Sequence, residues 1–194
     1  MNKKNIILAS SSQRRIDIMH QHGINPAIFP ADVDETIPEG AGMEDAVMYL
    51  ALKKALFVEQ MVLKENHEHP VIIAADTVVY KDKIIGKPKD RQDAYDTLWS
   101  LRAKEHFVAT GVCILQAETS IRHCFYEITK VFFKDFTDQE LNAYLDTSEP
   151  YDKAGSYAIQ GKFGQYVDHI EGDLNNVIGF PWDRIELEFN HIFK

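Results

Sequence analysis

The residues near the N-terminus could bind an anion such as a phosphate group. Arg14 and Arg15 follow three serines that begin at Ser10, where a short apolar run ends and a helical pattern begins. The free backbone N–H groups and the positive dipole end of a helix N-terminus favour anions, and guanidinium groups bind phosphate oxygens in pairs. Two solvated arginines on a helix face are the alternative. The sequence contains no G-x-x-x-x-G-K-[ST] motif, so a Walker phosphate loop is excluded.

Three lysines extend this set of candidate anion ligands. Lys54 lies on the apolar stripe of a predicted helix, whereas Lys53 points elsewhere. The Lys54 ammonium group therefore either reaches back to water along the edge of the stripe or points into a cleft at an anion. Lys87 lies in a rigid Gly-Lys-Pro turn, and Lys153 lies in a polar, glycine-punctuated segment that also contains Gln160. Glycines in such a segment permit a close approach of the backbone to a ligand.

Two carboxylates are candidate ligands for a divalent cation. Asp76 directly follows the apolar run Val71–Ala75, so it is predicted at the end of a buried strand, where α/β folds often place ligand-binding groups. Glu35 lies in an acidic loop and could join Asp76 in holding a hard divalent cation. Such a cation prefers oxygen ligands and often keeps water ligands that substrate phosphates can replace. A turn-capping role for Asp76 and a solvated loop around Glu35 are the alternatives.

The elements that must position these side chains follow from the hydrophobic periodicity. Apolar runs and alternating segments predict strands at 5–9, 71–75, 106–116, 121–136 and 166–170, and a hairpin at 78–87. Helical spacing predicts helices from Ser12 to Gly23, at 43–66, at 90–101, from Thr137 to Leu145, and after Pro181. This mixture favours a single α/β domain over residues 1–194, with a mixed sheet.

The composition limits the classes of partner. The 194 residues carry 21 basic and 30 acidic side chains, a formal net charge of −9, which argues against binding nucleic acid or an anionic membrane surface. Any anion must therefore meet a local basic cluster. Cys113 and Cys124 show no disulfide or zinc spacing, and no signal-peptide core or membrane-spanning run occurs, so we expect a cytoplasmic protein.

An ordered set of motifs resembles the Maf-type nucleoside triphosphate pyrophosphatases. Two segments differ from the family pattern: Gln13 replaces a proline before the paired arginines, and Arg102 and Ala103 replace a Ser-Gly pair. Neither difference removes a charged group. The motifs run from Leu8 to Pro181 and read LASxSxRR (8–15), KA (54–55), ADT (75–77), GKP (86–88), TGV (110–112), DKAG (152–155), IQG (159–161) and NVxGxP (176–181).

The resemblance implies a fold and an activity. It implies a twisted mixed sheet flanked by helices, with two lobes around a cleft, similar to inosine triphosphate pyrophosphatase-like folds. It also implies hydrolysis of a nucleoside triphosphate to the monophosphate and pyrophosphate with Mg²⁺ or Mn²⁺, by a chain that is often a homodimer. A non-enzymatic, nucleotide-binding regulator of cell division and septum formation is the alternative function.

The resemblance also assigns residues to roles. Asp76 matches the proton acceptor that has been proposed for the family. Glu35, from its place in the acidic loop, remains the second candidate metal ligand. Arg14, Thr77 and Gln160 match positions that separate the subgroup similar to dTTP/UTP pyrophosphatases from the subgroup acting on 7-methylguanosine triphosphate. The expected substrate-binding residues are Ser10, Arg14, Arg15, Lys54, Thr77, Lys87, Lys153 and Gln160. Whether Asp76 activates water directly or only through the metal stays open.

Overall fold

A mixed sheet of seven strands forms the centre of the structure, a computed structural model that describes residues 5–63 and 69–194. The strands lie in the order β2-β1-β3-β5-β6-β7, with β4 paired to β3. β1 is parallel to β2 and to β3, and the remaining pairs are antiparallel. The bounds are β1 Ile6–Leu8, β2 Ala27–Ile28, β3 Val71–Lys81, β4 Lys83–Ile85, β5 Glu105–Gln116, β6 Arg122–Phe133 and β7 Val167–Glu171.

Helices cover both faces of this sheet. Alternate residues of β1, β3 and β5 point to opposite faces, so each face has its own apolar cluster. One cluster packs against α2, and the other packs against α1, α5 and α6. The helices are α1 Gln13–Gln21, α2 Met43–Val62, α3 Arg91–Leu101, α4 Asp138–Leu145, α5 Leu174–Ile178 and α6 Trp182–Ile192. The predicted α/β class with a mixed sheet is confirmed.

A further apolar cluster forms the second lobe. It joins α3 and α4 to the ends of β5 and β6 and to three short 3-10 segments at Glu149–Asp152, Ala154–Ser156 and Lys162–Tyr166. The edge of β3 divides between the lobes, because Val71–Ile73 pair with β1 and Val79–Lys81 pair with β4. The stretch between these two pairings opens into a cleft.

Several element predictions needed correction. β3 does not end at Ala75, because its antiparallel pairing with β5 continues from Val71 to Tyr80, which places Asp76 in the middle of the strand. The helical spacing of α2 also predicts Met61 on its buried stripe, but this residue is 38% exposed. β2 and α5 were not predicted, since each is very short. The predicted continuation of α2 to Asn66 lies outside the described residues.

The predicted start of a helix at Thr137 is confirmed. Thr137 and Glu140 form a reciprocal capping box at the start of α4. Asp90 caps α3 by accepting from the Asp93 backbone N–H at 2.9 Å. None of the helices in the described ranges is both long and apolar enough to cross a membrane.

Candidate active site

A cleft of about 1260 Å³ lies between the two lobes, and all ten residues selected from the sequence line it. It is rich in charge. Its cations are Arg14, Arg15, Lys54, Lys87 and Lys153, and its carboxylates are Glu35, Asp76, Glu149 and Asp152. The cleft therefore concentrates five cations in a chain of net charge −9, which is the local basic cluster that an anionic ligand requires.

The two adjacent arginines have different environments. The Arg15 guanidinium donates to the Gly179 and Ala75 carbonyl oxygens at 2.9 and 2.8 Å, and to the Ser10 and Thr77 hydroxyls at 3.2 Å each. Burial lowers the pKa of Arg15, and the negative charge of Asp76 opposes that shift. These bonds tie the α1 start to β3 and to the end of α5.

Arg14 is free for a ligand by comparison. Among the described residues, no hydrogen bond or ion pair reaches its guanidinium group, although the residue lines the cleft. Of the pair, Arg14 therefore keeps its full set of donors for a ligand, while Arg15, whose donors mostly bond to the protein, contributes mainly its positive charge.

Lys54 lies between the two predicted metal-ligating carboxylates. Its Nζ is 2.5 Å from Asp76 Oδ1 and 2.7 Å from Glu35 Oε1, and the residue is only 8% exposed. The ammonium group thus points into the cleft and does not reach back to water. Lys53 points away from the cleft, as predicted, and donates to the Asp34 carbonyl oxygen at 2.5 Å.

Packing of α2 against β5 sets this geometry. Gly111 of β5 is the cross-strand neighbour of Asp76, and a Cβ atom on Gly111 would lie 2.3 Å from the Val47 carbonyl carbon of α2. Only a residue without a side chain permits this approach. The close approach brings Lys54, two turns further along α2, above Asp76.

The charges around Glu35 favour its ionised form. Burial acts to raise the pKa of the Glu35 carboxyl, but the hydrogen bond and charge of Lys54, with the charge of Lys87, outweigh it and lower the pKa. Lys87 Nζ lies 3.9 Å from Glu35 Oε2. Within the described residues, no three His, Cys, Asp or Glu side chains come together in a group that could hold a metal ion.

A chain of hydroxyl groups fixes the direction of the Thr77 proton. Thr110 Oγ1 donates to the Asn176 carbonyl oxygen at 3.0 Å, so the proton in its 2.9 Å bond with Thr77 comes from Thr77. Thr77 already accepts from Arg15. One lone pair remains, and Thr77 can therefore offer a ligand only an acceptor.

The second lobe contributes Lys153 and Gln160. Lys153 Nζ donates to the Glu149 carbonyl oxygen at 2.9 Å and to Asp152 at 2.5 Å. Gln160 is exposed at the mouth of the cleft, and no hydrogen bond holds its amide among the described residues. Lys153 is therefore anchored, whereas the Gln160 side chain is held only through its backbone.

Sequence reasoning missed three residues that shape this site: Thr110, Glu149 and Gly111. Each lay within or beside a motif, but their contacts join positions from 13 to 66 residues apart. The cysteines are a similar case, since Cys113 and Cys124 are direct cross-strand neighbours with free thiols. No local spacing indicates such pairs.

The fold and the cleft together define an α/β protein suited to a small polyanionic ligand. A family profile described as "Maf-like protein" matches residues 5–191. The chain belongs to the Maf-like family.

Curated relatives cover nearly the whole chain. A protein of Caldicellulosiruptor bescii named dTTP/UTP pyrophosphatase is 42% identical over 185 residues, 95% of this chain and 92% of the relative. A protein of the same name from Bacillus cereus is 42% identical over 188 residues, 96% and 89% of the two chains.

Among solved structures, the Staphylococcus aureus Ham1 protein covers 94% of this chain and 98% of its own, with a TM-score of 0.47 and 13% sequence identity. A likeness at this distance has no bearing on activity.

Proposed function

We propose that this protein hydrolyses nucleoside triphosphates, preferably dTTP and UTP, to the nucleoside monophosphate and pyrophosphate. The observation that carries the proposal is the Lys54–Asp76 pair at the floor of a cleft with five cations. The shared name of relatives that are 42% identical supports the same reaction and the same nucleotides. The comparisons give no support to the non-enzymatic alternative.

The cations of the cleft would neutralise the triphosphate. Arg14, Lys54, Lys87 and Lys153 can each donate to phosphate oxygens, and Ser10 lies where the chain leaves β1 and approaches α1. Fixed positive charges stabilise the negative charge that develops on departing pyrophosphate. Arg15 would add its charge while holding Thr77 and Ser10 in place.

Asp76 would accept the proton of the attacking water. Its Oδ1 accepts from Lys54, whereas its Oδ2 has no hydrogen-bond partner among the described residues. Water attacks the α-phosphorus, the bond from that phosphorus to the bridging oxygen breaks, and the proton passes to the carboxylate. The products are the nucleoside monophosphate and pyrophosphate.

The carboxylates fit a hard divalent cation. Glu35 and Asp76 lie on either side of the Lys54 ammonium group, at 2.7 and 2.5 Å from its nitrogen, so a metal ion would be held beside that group and not at its position. Mg²⁺ is commonly held by one or two carboxylates together with substrate phosphates, so two protein ligands suffice. When bound, Mg²⁺ or Mn²⁺ would neutralise phosphate charge.

Thr77 and Gln160 would read the base. Thr77 offers only an acceptor, whereas the Gln160 amide offers one acceptor and two donors. A uracil or thymine ring presents one N–H donor between two carbonyl acceptors, which the amide can match.

We further propose that residues 1–194 act as one cytoplasmic domain, as a homodimer, without a nucleic-acid partner.

The decisive experiment measures products from a panel of nucleotides. Wild-type protein is incubated with dTTP, UTP, CTP, ATP or GTP and with Mg²⁺, Mn²⁺ or a chelator. We expect equimolar monophosphate and pyrophosphate, fastest from dTTP and UTP, and no turnover with the chelator. Diphosphate with inorganic phosphate as the products, or no turnover of any nucleotide, contradicts the proposal.

The variant Asp76→Asn tests the proton acceptor in the same assay. The amide is nearly isosteric, but it neither takes a proton nor binds a hard cation well. We expect an unchanged melting temperature and a rate about 10²–10⁴-fold lower. A rate above about a tenth of wild type, outside that range, would exclude Asp76 from this role.

A further inference from the structure

The carboxylate of Glu149 lies directly against the backbone that follows Gln160. A Cβ atom on Gly161 would lie 1.9 Å from Glu149 Oε1, so the carboxylate occupies the space of the missing side chain. Oε2 accepts from the Lys162 backbone N–H at 3.2 Å, and Oε1 accepts from the Tyr144 hydroxyl at 3.3 Å. Glu149 therefore packs on Gly161 and bonds to the next residue.

The segment that carries Gln160 is held from outside by apolar packing of Ile159 against the first lobe and by the Glu149 hydrogen bond. Within residues 158–162, the Gly161 N–H bonds to the Ala158 carbonyl oxygen at 3.0 Å, which is a local turn. Among the described residues, Glu149 supplies the one hydrogen bond that reaches 158–162 from outside 156–166. Phe163, buried in the second lobe, anchors the chain beyond the turn.

The Glu149 side chain is itself held in place. Tyr144 is buried, and its single hydroxyl proton is shared between Glu149 Oε1 and the Ser156 carbonyl oxygen at 3.1 Å, so the hydroxyl lies between Glu149 and the start of the segment. The Glu149 carbonyl oxygen separately accepts from Lys153 Nζ. Glu149 thus contacts Lys153 through its backbone and, through its side chain, the two residues that follow Gln160.

We propose that Glu149 is a positioning residue for base recognition: its carboxylate holds Gly161 and Lys162 so that Gln160 presents its amide to the base in one orientation. The inference rests on the proposed function, in which Gln160 reads the base. An amide can turn over to suit either uracil or cytosine, so its selectivity depends on a fixed backbone. Glu149 supplies that fixation through its contacts with Gly161 and Lys162.

A double-mutant cycle tests whether Glu149 acts through Gln160. The variants are Glu149→Ala, Gln160→Ala and the double variant, and the readouts are kcat/KM for UTP and the Kd of α,β-imido-UTP. We expect the single variant Glu149→Ala to lower kcat/KM and to raise the Kd by about 10-fold each, the scale of one lost hydrogen bond to a buried polar group. In the Gln160→Ala background the same change should cost less than about 2-fold.

Two controls separate positioning from folding and from charge. Glu149→Gln keeps a carbonyl acceptor for the Lys162 N–H, so we expect it to stay within about 3-fold of wild type. Asp146→Ala removes an exposed carboxylate that pairs with Arg91 outside the cleft, and we expect no kinetic change. Melting temperatures are measured for every variant.

Each outcome decides the proposal. Equal losses in both backgrounds, no loss for Glu149→Ala, or a Glu149→Gln variant as weak as the alanine variant would overturn the positioning role. If the effects of the two substitutions on the Kd of α,β-imido-UTP are not additive, but no pyrophosphate is released, the positioning role is supported and hydrolysis is refuted. If pyrophosphate is released but the losses caused by the two substitutions are additive, only the positioning role is refuted. If the protein neither binds α,β-imido-UTP nor releases pyrophosphate, both proposals are overturned.

Discussion

Asp76 and Gly111 lie directly opposite each other on β3 and β5, and the bare Cα of Gly111 lets the α2 backbone approach the sheet beside the carboxylate. Opposite residues of an antiparallel pair point to the same face, so the Asp76 side chain and the missing Gly111 side chain both face α2. Lys54 of α2 can therefore reach Asp76. The ion pair at the cleft floor depends on a residue that carries no charge.

Gly111→Ala should destabilise the protein. The added methyl group would lie 2.3 Å from the Val47 carbonyl carbon, and two backbones cannot separate here without moving α2 from the sheet. We expect a loss of about 3 kcal/mol in the free energy of unfolding, measured by urea denaturation. Gly86→Ala is the control, because no atom lies within 4 Å of its Cβ position. Equal stability of the two variants would contradict the interpretation.

Lys54→Met should impair turnover because it removes the cation between Glu35 and Asp76. Methionine fits the apolar stripe of α2, but it leaves two carboxylates facing each other and no ammonium group for the phosphates. We expect kcat/KM for UTP to fall by about 100-fold. Stability should fall as well, so rates are compared at a temperature where both proteins are folded.

Lys53→Met is the matched control for the charge on α2. Lys53 contacts Asp34 on the outer side of the helix and does not line the cleft. Its kinetics should match those of wild type. Unchanged kinetics for Lys54→Met would instead mean that Lys54 only stabilises the fold.

Gln160→Glu should change the base preference. A carboxylate cannot donate to the O4 atom of uracil or thymine, so we expect kcat/KM for dTTP and UTP to fall by about 10-fold or more. CTP should lose less, because its amino group can donate to the new carboxylate. Equal losses for the three nucleotides would mean that Gln160 shapes the loop or the phosphate site.

His106 should make the stability depend on pH. The imidazole is buried, its Nε2 bonds to the Tyr157 hydroxyl at 2.7 Å, and burial with the charge of Lys81 lowers its pKa from 6.5 to about 3. Below pH 6.5 the unfolded chain therefore binds a proton that the folded chain does not, and stability is lost as the pH falls towards 3. Above pH 6.5 this loss is absent.

Urea denaturation at about pH 7 and about pH 5 measures this contribution, which should be about 2 kcal/mol. His106→Gln keeps a hydrogen-bonding group towards Tyr157 but does not titrate, so its stability should fall by about that much less. His20→Gln, on the exposed side of α1, controls for the loss of an imidazole. The same pH dependence in wild type and His106→Gln would show that other groups cause it.

Local sequence patterns determined the residue types of the site and most of the elements that carry them. The helical spacing of α2 placed Lys54 on its buried stripe and Lys53 outside it, because 3.6 residues per turn fixes which side chains share a face. The capping box at Thr137 and the turn around Asp82 also depend on neighbours within a few residues. Such interactions can be read directly from the chain.

Only the tertiary structure decided how these residues divide the work. Arg14 and Arg15 look equivalent in sequence, yet Arg15 bonds to Gly179, 164 residues away, while Arg14 remains open to the cleft. Asp76 lies inside a long strand because β5, which is distant in sequence, pairs with β3 on both sides of this residue. Hydrogen-bond pairing and backbone packing between distant segments depend on register and approach, which no local spacing encodes.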